Sequence, residues 1–219
     1  MTSLKDRLST IRVEDDDGRL QALEVLRATY RDEKGWVSDE EKQVPEDDLA
    51  RPDVSWFVVR ENGVPVGVLR VLYDPPLHLY REYGLSLIDL GADIEAFIRA
   101  HRIAEIGRFA VLPAKRRYTV IVLALIRAAI TETVSRGYTH YITDVFEDDP
   151  HSPYEFHTRV LGFQPVATHD VGELNCASRR ITLVLDLRAC YHRMHAANGF
   201  FFRYITESWS EELHRSLAP

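Results

Sequence analysis

Residues 103–112, IAEIGRFAVL, set two charged side chains, Glu105 and Arg108, inside an otherwise apolar run. Charges in such a run are seldom buried without a partner or a task. A carboxylate there can take a proton, and a guanidinium can hold an anion through paired N–H groups. The two lie three apart, so a regular strand would point them to opposite faces. Gly107 stands between them, and a glycine inside a strand often marks a bulge, which would bring both to one face. A plain structural ion pair is the alternative. Arg70 is a second anomaly: by strand alternation it shares a face with Val66, Val68 and Leu72. It needs a carboxylate, either from a ligand or from Glu105 or the acidic segment 38–53. Just downstream, Lys115, Arg116 and Arg117 precede an apolar helical pattern over residues 119–136. A helix start offers unpaired N–H groups and a partial positive charge, and with three cations beside it the turn suits an anion. A solvated basic turn is the bland reading of the same residues.

Around these residues the pattern predicts the positioning elements. Leu23, Leu26 and Tyr30 have helical spacing within residues 21–33, and the acidic 38–53 with its two prolines reads as a loop or short helix. Residues 55–60 and 64–73 flank Asn62-Gly63, a hairpin turn pair. Residues 77–99 read as helical in pieces. The strand at 103–112 stops at Pro113, and the helix at 119–136 ends at Gly137. Strands follow at 138–146, 163–168 and 180–187, with a short helix at 153–161 closed by Gly162. The amphipathic tail 189–217 reads as a terminal helix or two. This order implies an α+β (α/β) fold: a mostly antiparallel mixed sheet with one parallel strand–helix–strand step. No boundary divides the chain, so one domain is expected over 1–219. It has N-terminal helices at 1–53, a core at 54–187 and a helical tail at 188–219.

Composition narrows the chemistry. A chain of 219 residues with 45% hydrophobic and 28% charged residues can bury a core without disulfide or metal. The 27 basic against 34 acidic residues, net −7, argue against a nucleic-acid partner. No apolar run approaches the ~20 residues that span a bilayer, so no integral membrane segment is expected. The opening MTSLKDRLSTIRVEDDDG has no signal-type stretch, which with only Cys176 and Cys190 points to a reduced cytoplasmic protein. No Cys or His spacing suggests a metal site, and His140, His151, His169, His192 and His195 read as surface or packing residues.

The strand–turn–helix, the strand after it and YEFHTRVLGF at 154–163 together resemble the GNAT acyltransferase superfamily. Arg27, Trp36, Glu46-Asp47-Asp48, Arg70 and EIGRFAV at 105–111 further resemble acyl-homoserine-lactone synthases and the related N-acyl amino acid synthases. The likeness runs over residues 20–187. It implies a three-layer GNAT-like fold whose basic turn, Lys115, Arg116, Arg117, Tyr118 and Thr119, cradles the phosphate of an acyl carrier thioester. It implies transfer of the acyl group to an amine. Glu105 then becomes the base, directly or through one water, with a backbone N–H near Gly107 to Phe109 for the oxyanion. Arg108 and Arg70 would bind a substrate carboxylate or organise the acidic loop, and Arg27, Tyr30, Trp36 and Phe109 would line the substrate pocket. His157 stands near the position where many acetyltransferases carry an acidic tyrosine. It or Tyr154 would protonate the leaving sulfur. No activated Ser or Cys nucleophile is legible, so direct transfer is expected.

Departures from the family patterns choose among substrates. The turn Arg116-Arg117-Tyr118-Thr119-Val120 has no glycine, which hinders close approach of a CoA pyrophosphate. A single phosphopantetheine phosphate asks for less, and a tribasic turn on an acidic protein suits an acidic acyl carrier protein, with acyl-CoA as the other option. Arg31 stands where lactone synthases carry an aromatic ring, with Tyr30 beside it, and the aspartate spacing is shifted. A cation there should repel a sulfonium donor and attract an amino acid's carboxylate. The expected activity is therefore a fatty acyl transfer from acyl carrier protein to a small amine acceptor, an amino acid. A lactone (autoinducer) synthase and a catalytically silent GNAT-like binding domain are the alternatives.

Overall fold

The structure, a computed structural model, describes residues 7–78, 82–89 and 93–218. In chain order the elements are β1 (Leu8–Arg12), α1 (Asp16–Leu26), β2 (Val54–Glu61), β3 (Val64–Tyr73), β4 (Ser86–Leu87), α2 (Ile94–Ala100) and β5 (Ile103–Val111). Then come α3 (Thr119–Ser135), β6 (His140–Phe146), β7 (Gln164–His169), β8 (Arg180–Asp186), α4 (Leu187–Ala197), α5 (Phe200–Thr206) and α6 (Glu211–Leu217). One eight-stranded sheet runs β1-β2-β3-β5-β6-β8-β7-β4, and only β5 and β6 pair in parallel. That is the expected βαβ step, with α3 as its crossover. No helix among the described residues is long and apolar enough to cross a membrane.

Several expectations shift in detail. β1 adds a strand inside the predicted N-terminal helices, where five residues of mixed polarity gave no strand signal. The helix predicted from residue 21 begins earlier, capped by the Asp15 carboxylate on the Gly18 N–H, and continues from α1 into a wide turn, Arg27–Arg31. The acidic segment forms two single turns, Glu41–Gln43 and Glu46–Ala50. Within 77–99 the described residues form β4 and α2, and the parts at 79–81 and 90–92 lie outside the described residues. The short helix before Gly162 is wound wide over Phe156–Leu161, and the tail makes three helices.

The sheet separates two cores. α3 and the C-terminal helices cover one face, with Phe57, Leu69, Tyr73, Ile106, Leu125 and Phe163 buried between them. α1 covers the other, over Trp56, Val58 and Val68. Gly67 lets α3 sit close, since a Cβ there would lie 3.2 Å from both Ile121 and Leu125. Val59 pairs with Gly67 and Arg60 with Pro65, so Val66 is an extra residue in β3. Val66 therefore joins the α3 face, and of its expected companions Arg70 keeps only Val68 and Leu72.

A second irregularity builds the site. Val68 pairs with Ala110 and Arg70 with Gly107, which leaves Arg108 and Phe109 both opposite Leu69. The bulge is centred on Arg108, at φ +50°, and not on Gly107, whose φ is ordinary. Alternation is thereby reset. Ala104, Ile106, Phe109 and Val111 face α3, whereas Glu105, Gly107 and Arg108 face the α1 side. The sequence expectation that a bulge unites Glu105 and Arg108 holds, one residue further on. Beyond the pairs Ile103–His140, Ala104–Tyr141 and Glu105–Ile142, β5 and β6 part and open a notch. The Thr143 hydroxyl donates to the Ile106 carbonyl across it at 2.9 Å.

Candidate active site

The notch holds a cavity of about 220 Å3, lined among others by Tyr30, Trp36, Arg108, Phe109, Asp144 and His157. A second hollow of about 130 Å3, on the α1 side, is lined by Tyr30, Tyr83, Glu105, Arg108, Asp144 and Glu173. Tyr30, Arg108 and Asp144 belong to both walls, so a group bound in one hollow meets a group bound in the other beside them. A third cavity, wholly on the α3 side, is apolar and lies between α3 and the tail helices, walled by Ala129, Leu161, Met194, Phe202 and Trp209. Ile106, Phe109 and His157 form its common wall with the notch.

Charge in the α1-side hollow alternates. Arg70 Nη2 donates to Glu105 Oε1 at 2.7 Å, and Arg108 Nη2 to Glu173 Oε2 at 2.6 Å. Gly107 lies under the first pair: a Cβ there would come to 3.0 Å from both Arg70 Nη2 and Glu105 Oε1. The Nε–H groups of Arg70 and Arg108 are buried and have no partner among the described residues. Of the two, only Arg108 lines the hollow, and its Nε–H is a donor that the protein leaves unsatisfied. Burial pushes the Glu173 carboxyl up, but Arg108 and Arg70 outweigh it and hold the group below its usual range. Tyr30 is buried, and burial raises its phenol above the ordinary value against the pull of Arg108 and Arg70, so it stays an O–H donor at neutral pH.

The remaining expected residues divide. Trp36 packs between Tyr30 and Phe146, with ring centroids at 5.2 and 4.4 Å, and forms part of the notch wall. Arg27 does not reach the hollows. Its Nε donates to Glu40 at 2.6 Å, and Arg31 binds the same carboxylate at 2.8 Å. The positive charge expected of Arg31 toward a substrate is thus met within the protein. In the basic turn, Lys115 pairs with Glu61 at 2.6 Å, and Arg116 pairs with Glu33 while lining the notch. Arg117 donates to the Tyr118 hydroxyl at 2.6 Å and lies 4.8 Å from the centroid of the same ring, with no carboxylate partner among the described residues. Thr119 opens α3, and Tyr118 precedes it without capping it by its side chain.

His157 is buried, and its Nδ1 lies 2.9 Å from the Pro153 carbonyl. A carbonyl only accepts, so Nδ1 carries the proton. Burial lowers the imidazole's affinity for a second proton, more than that hydrogen bond raises it. In the neutral ring Nε2 is consequently a lone pair, which receives a hydrogen bond and does not supply one. The expected role of proton donor to sulfur is contrary to this tautomer. Asp144, Glu173 and Tyr83 escaped sequence reasoning. Asp144 is one polar residue in an alternating strand, and Glu173 sits in a loop without pattern. His169, expected only to pack, faces two acceptors, the Val171 carbonyl at 2.6 Å and Asp144 Oδ2 at 3.2 Å. Burial disfavours its charge, but the Asp144 carboxylate beside it outweighs this and raises its pKa above the ordinary value.

Comparison with known proteins places this geometry. A search of curated proteins finds no match. Among solved structures, FeeM, an N-acyl amino acid synthase from uncultured soil microbes, superposes with a TM-score of 0.66 at 16% identity. The match covers 88% of this chain and 97% of that one. The ribosomal-protein-S18-alanine N-acetyltransferase from Escherichia coli matches with a TM-score of 0.53 at 13% identity, over 82% and 94%. An aminoglycoside 6'-N-acetyltransferase complexed with coenzyme A matches with 0.55 at 13%, over 82% and 96%. At these identities the likeness is one of fold, the GNAT fold. The family model for N-acyl amino acid synthase FeeM matches residues 21–175, the span that holds Tyr30, Trp36, Arg70, Glu105, Arg108 and His157. The notch, the bulge beside it and this match together identify the chain as an N-acyltransferase that belongs to the N-acyl amino acid synthase FeeM family.

Proposed function

We propose that the protein transfers a fatty acyl group from the phosphopantetheine thioester of an acyl carrier protein to the amine of an amino acid. The observation that carries this reading is the buried Arg108 Nε–H, without a partner among the described residues, in a hollow that also holds Glu105 and joins the notch. An amino acid presents a carboxylate to Arg108 and Arg70 and its ammonium to Glu105. Glu105 takes a proton from that ammonium, directly or through a water, and the free amine attacks the thioester carbonyl in the notch. A backbone N–H of the Arg108–Phe109 bulge is the proposed oxyanion donor. The thiolate, with a pKa near ~8.5, leaves without an acid of high strength. Trp36 and Tyr30 wall the acceptor, and Tyr118 and Thr119 bring the N–H groups at the start of α3 to the carrier phosphate. The whole chain acts as one domain in this reading, and a carrier-protein donor places the reaction in the cytoplasm.

The donor is the first thing to test. Lys115 and Arg116 have carboxylate partners, so Arg117 is the cation of the turn most available to an acidic carrier. Matched acyl-carrier and acyl-CoA donors are expected to differ in rate, with the carrier preferred. The preference should shrink as salt screens the docking charges. Equal, salt-insensitive rates would count for CoA. Amino acids and S-adenosylmethionine, offered separately as acceptors, divide the synthase from the lactone reading. Acyl-homoserine lactone with no acyl amino acid would promote the lactone synthase, and no product from either would favour a binding domain.

The apolar cavity behind Phe109, about 50 Å3 as it stands, is the proposed seat of the acyl chain and must widen between α3 and the tail helices to take it. Ala129, a small buried residue of its wall, gives a direct handle. In Ala129→Phe the product profile, read by mass spectrometry, is expected to move to shorter chains. Overpacking of about 1–3 kcal/mol would show separately as a lower Tm. An unchanged profile in a folded variant places the chain elsewhere.

A further inference from the structure

The wall between the notch and the apolar cavity is carbon except at one place. Of its three shared side chains, Ile106 and Phe109 are apolar and the third is His157. Its ring is enclosed by Phe109, Phe156 and Phe163, all edge-on, at centroid distances of 6.4, 6.0 and 4.9 Å. The residue is 3% exposed. Its Nδ1–H is committed to the Pro153 carbonyl, and no donor among the described residues reaches Nε2. Nε2 is not among the fully enclosed unpartnered atoms, so the cost of a bare acceptor in aromatic surroundings arises only when a bound chain closes it off from water. A saturated chain threading past it strips any water from the lone pair and returns nothing. A chain bearing a hydroxyl at that point returns a hydrogen bond.

We infer that His157 selects acyl chains hydroxylated close to the thioester, of the 3-hydroxyacyl class, by accepting the hydroxyl's hydrogen bond at Nε2. The inference rests on the proposed acyl donor and on the apolar cavity as the chain's seat. The position along the chain follows from the geometry. With the carbonyl at the bulge, as proposed above, Phe109 is the bulge's second residue and its ring centroid lies 6.4 Å from that of His157, so the first few carbons are those that pass the imidazole. His157 touches the donor away from the reacting bond and is a specificity residue, not a proton donor. Discrimination by a buried polar group that the wrong substrate leaves unpaired is the stronger kind of selectivity.

The test compares S-(3-hydroxydecanoyl)-pantetheine with S-decanoyl-pantetheine, binding to the intact protein by calorimetry without acceptor. The wild type is expected to bind the hydroxylated thioester about 2- to 12-fold more tightly, the usual worth of one such bond. His157→Phe keeps a ring of similar size and should reduce the ratio to one or invert it. His157→Gln restores an acceptor and should recover part of it. Equal binding by the wild type overturns the inference whether or not the variants fold, and so does a preference that survives in His157→Phe. Mass spectrometry with amino acids added reports on the synthase reading independently. Absence of any acyl amino acid, with the binding ratio intact, removes that reading and leaves the role of His157 standing.

Discussion

Glu105→Gln is expected to lose about 10²-fold or more in kcat, the usual worth of a positioned general base. The amide keeps the size of the side chain and one oxygen for Arg70 Nη2, now at 2.7 Å from the carboxylate. What it loses is the ability to take a proton near neutral pH. Donor binding, measured with an acyl-pantetheine, should change little, because Glu105 lines the α1-side hollow and not the notch cavity. Arg70 makes this a sharp test. A large fall in Tm together with the fall in rate would make Glu105 chiefly the partner of a buried guanidinium. A normal rate would move the base to water or to Asp144, the carboxylate that borders both hollows.

The second large effect is expected at Arg108, where side chain and backbone can be separated. Arg108→Gly should raise the acceptor KM by roughly 10- to 100-fold, since a charge-assisted hydrogen bond contributes about 1.5–3 kcal/mol. Its Tm should hold or rise. At φ +50° an arginine bears backbone strain of about 1–3 kcal/mol that glycine does not. Arg108→Val removes the same guanidinium but places a β-branched residue in the left-handed region, so it should lose both binding and stability. In the free protein Glu173 occupies this arginine, and an incoming carboxylate must share or displace it. If Arg108→Gly leaves KM unchanged, Arg108 serves only to anchor the Glu173 loop.

The sequence made the strand β5 conspicuous because two charges interrupt an apolar run, and its hairpin neighbour was announced by Asn62-Gly63. The long apolar helix, the parallel step and most strand limits followed from periodicity. What stayed hidden is register. A single extra residue, Val66, moved that side chain to the other face, and the bulge settled on arginine although glycine was adjacent. Neither shift changes composition or period enough to be read. The acidic partners were equally illegible. Glu33, Glu40, Glu61 and Glu173 come from loops, a strand end and the end of the first helical stretch. They neutralise Arg116, Arg27 with Arg31, Lys115, and Arg108 across long separations. Spacing along the chain carries no trace of such pairs. The amino-terminal strand and the two-residue β4 are too short, and too mixed in polarity, to register.

The parallel contact between β5 and β6 spans three residue pairs, whereas β6 and β8 share seven. The sheet is therefore two sets of strands joined by a short pairing, β1-β2-β3-β5 on one side and β6-β8-β7-β4 on the other, with α3 crossing between them. A pull applied to the two ends of the chain loads that pairing, because β1 belongs to one set and the C-terminal helices follow β8 in the other. Backbone pairing therefore contributes little to joining the halves beside the notch; what joins them is the common core that α3 and the C-terminal helices bury against both.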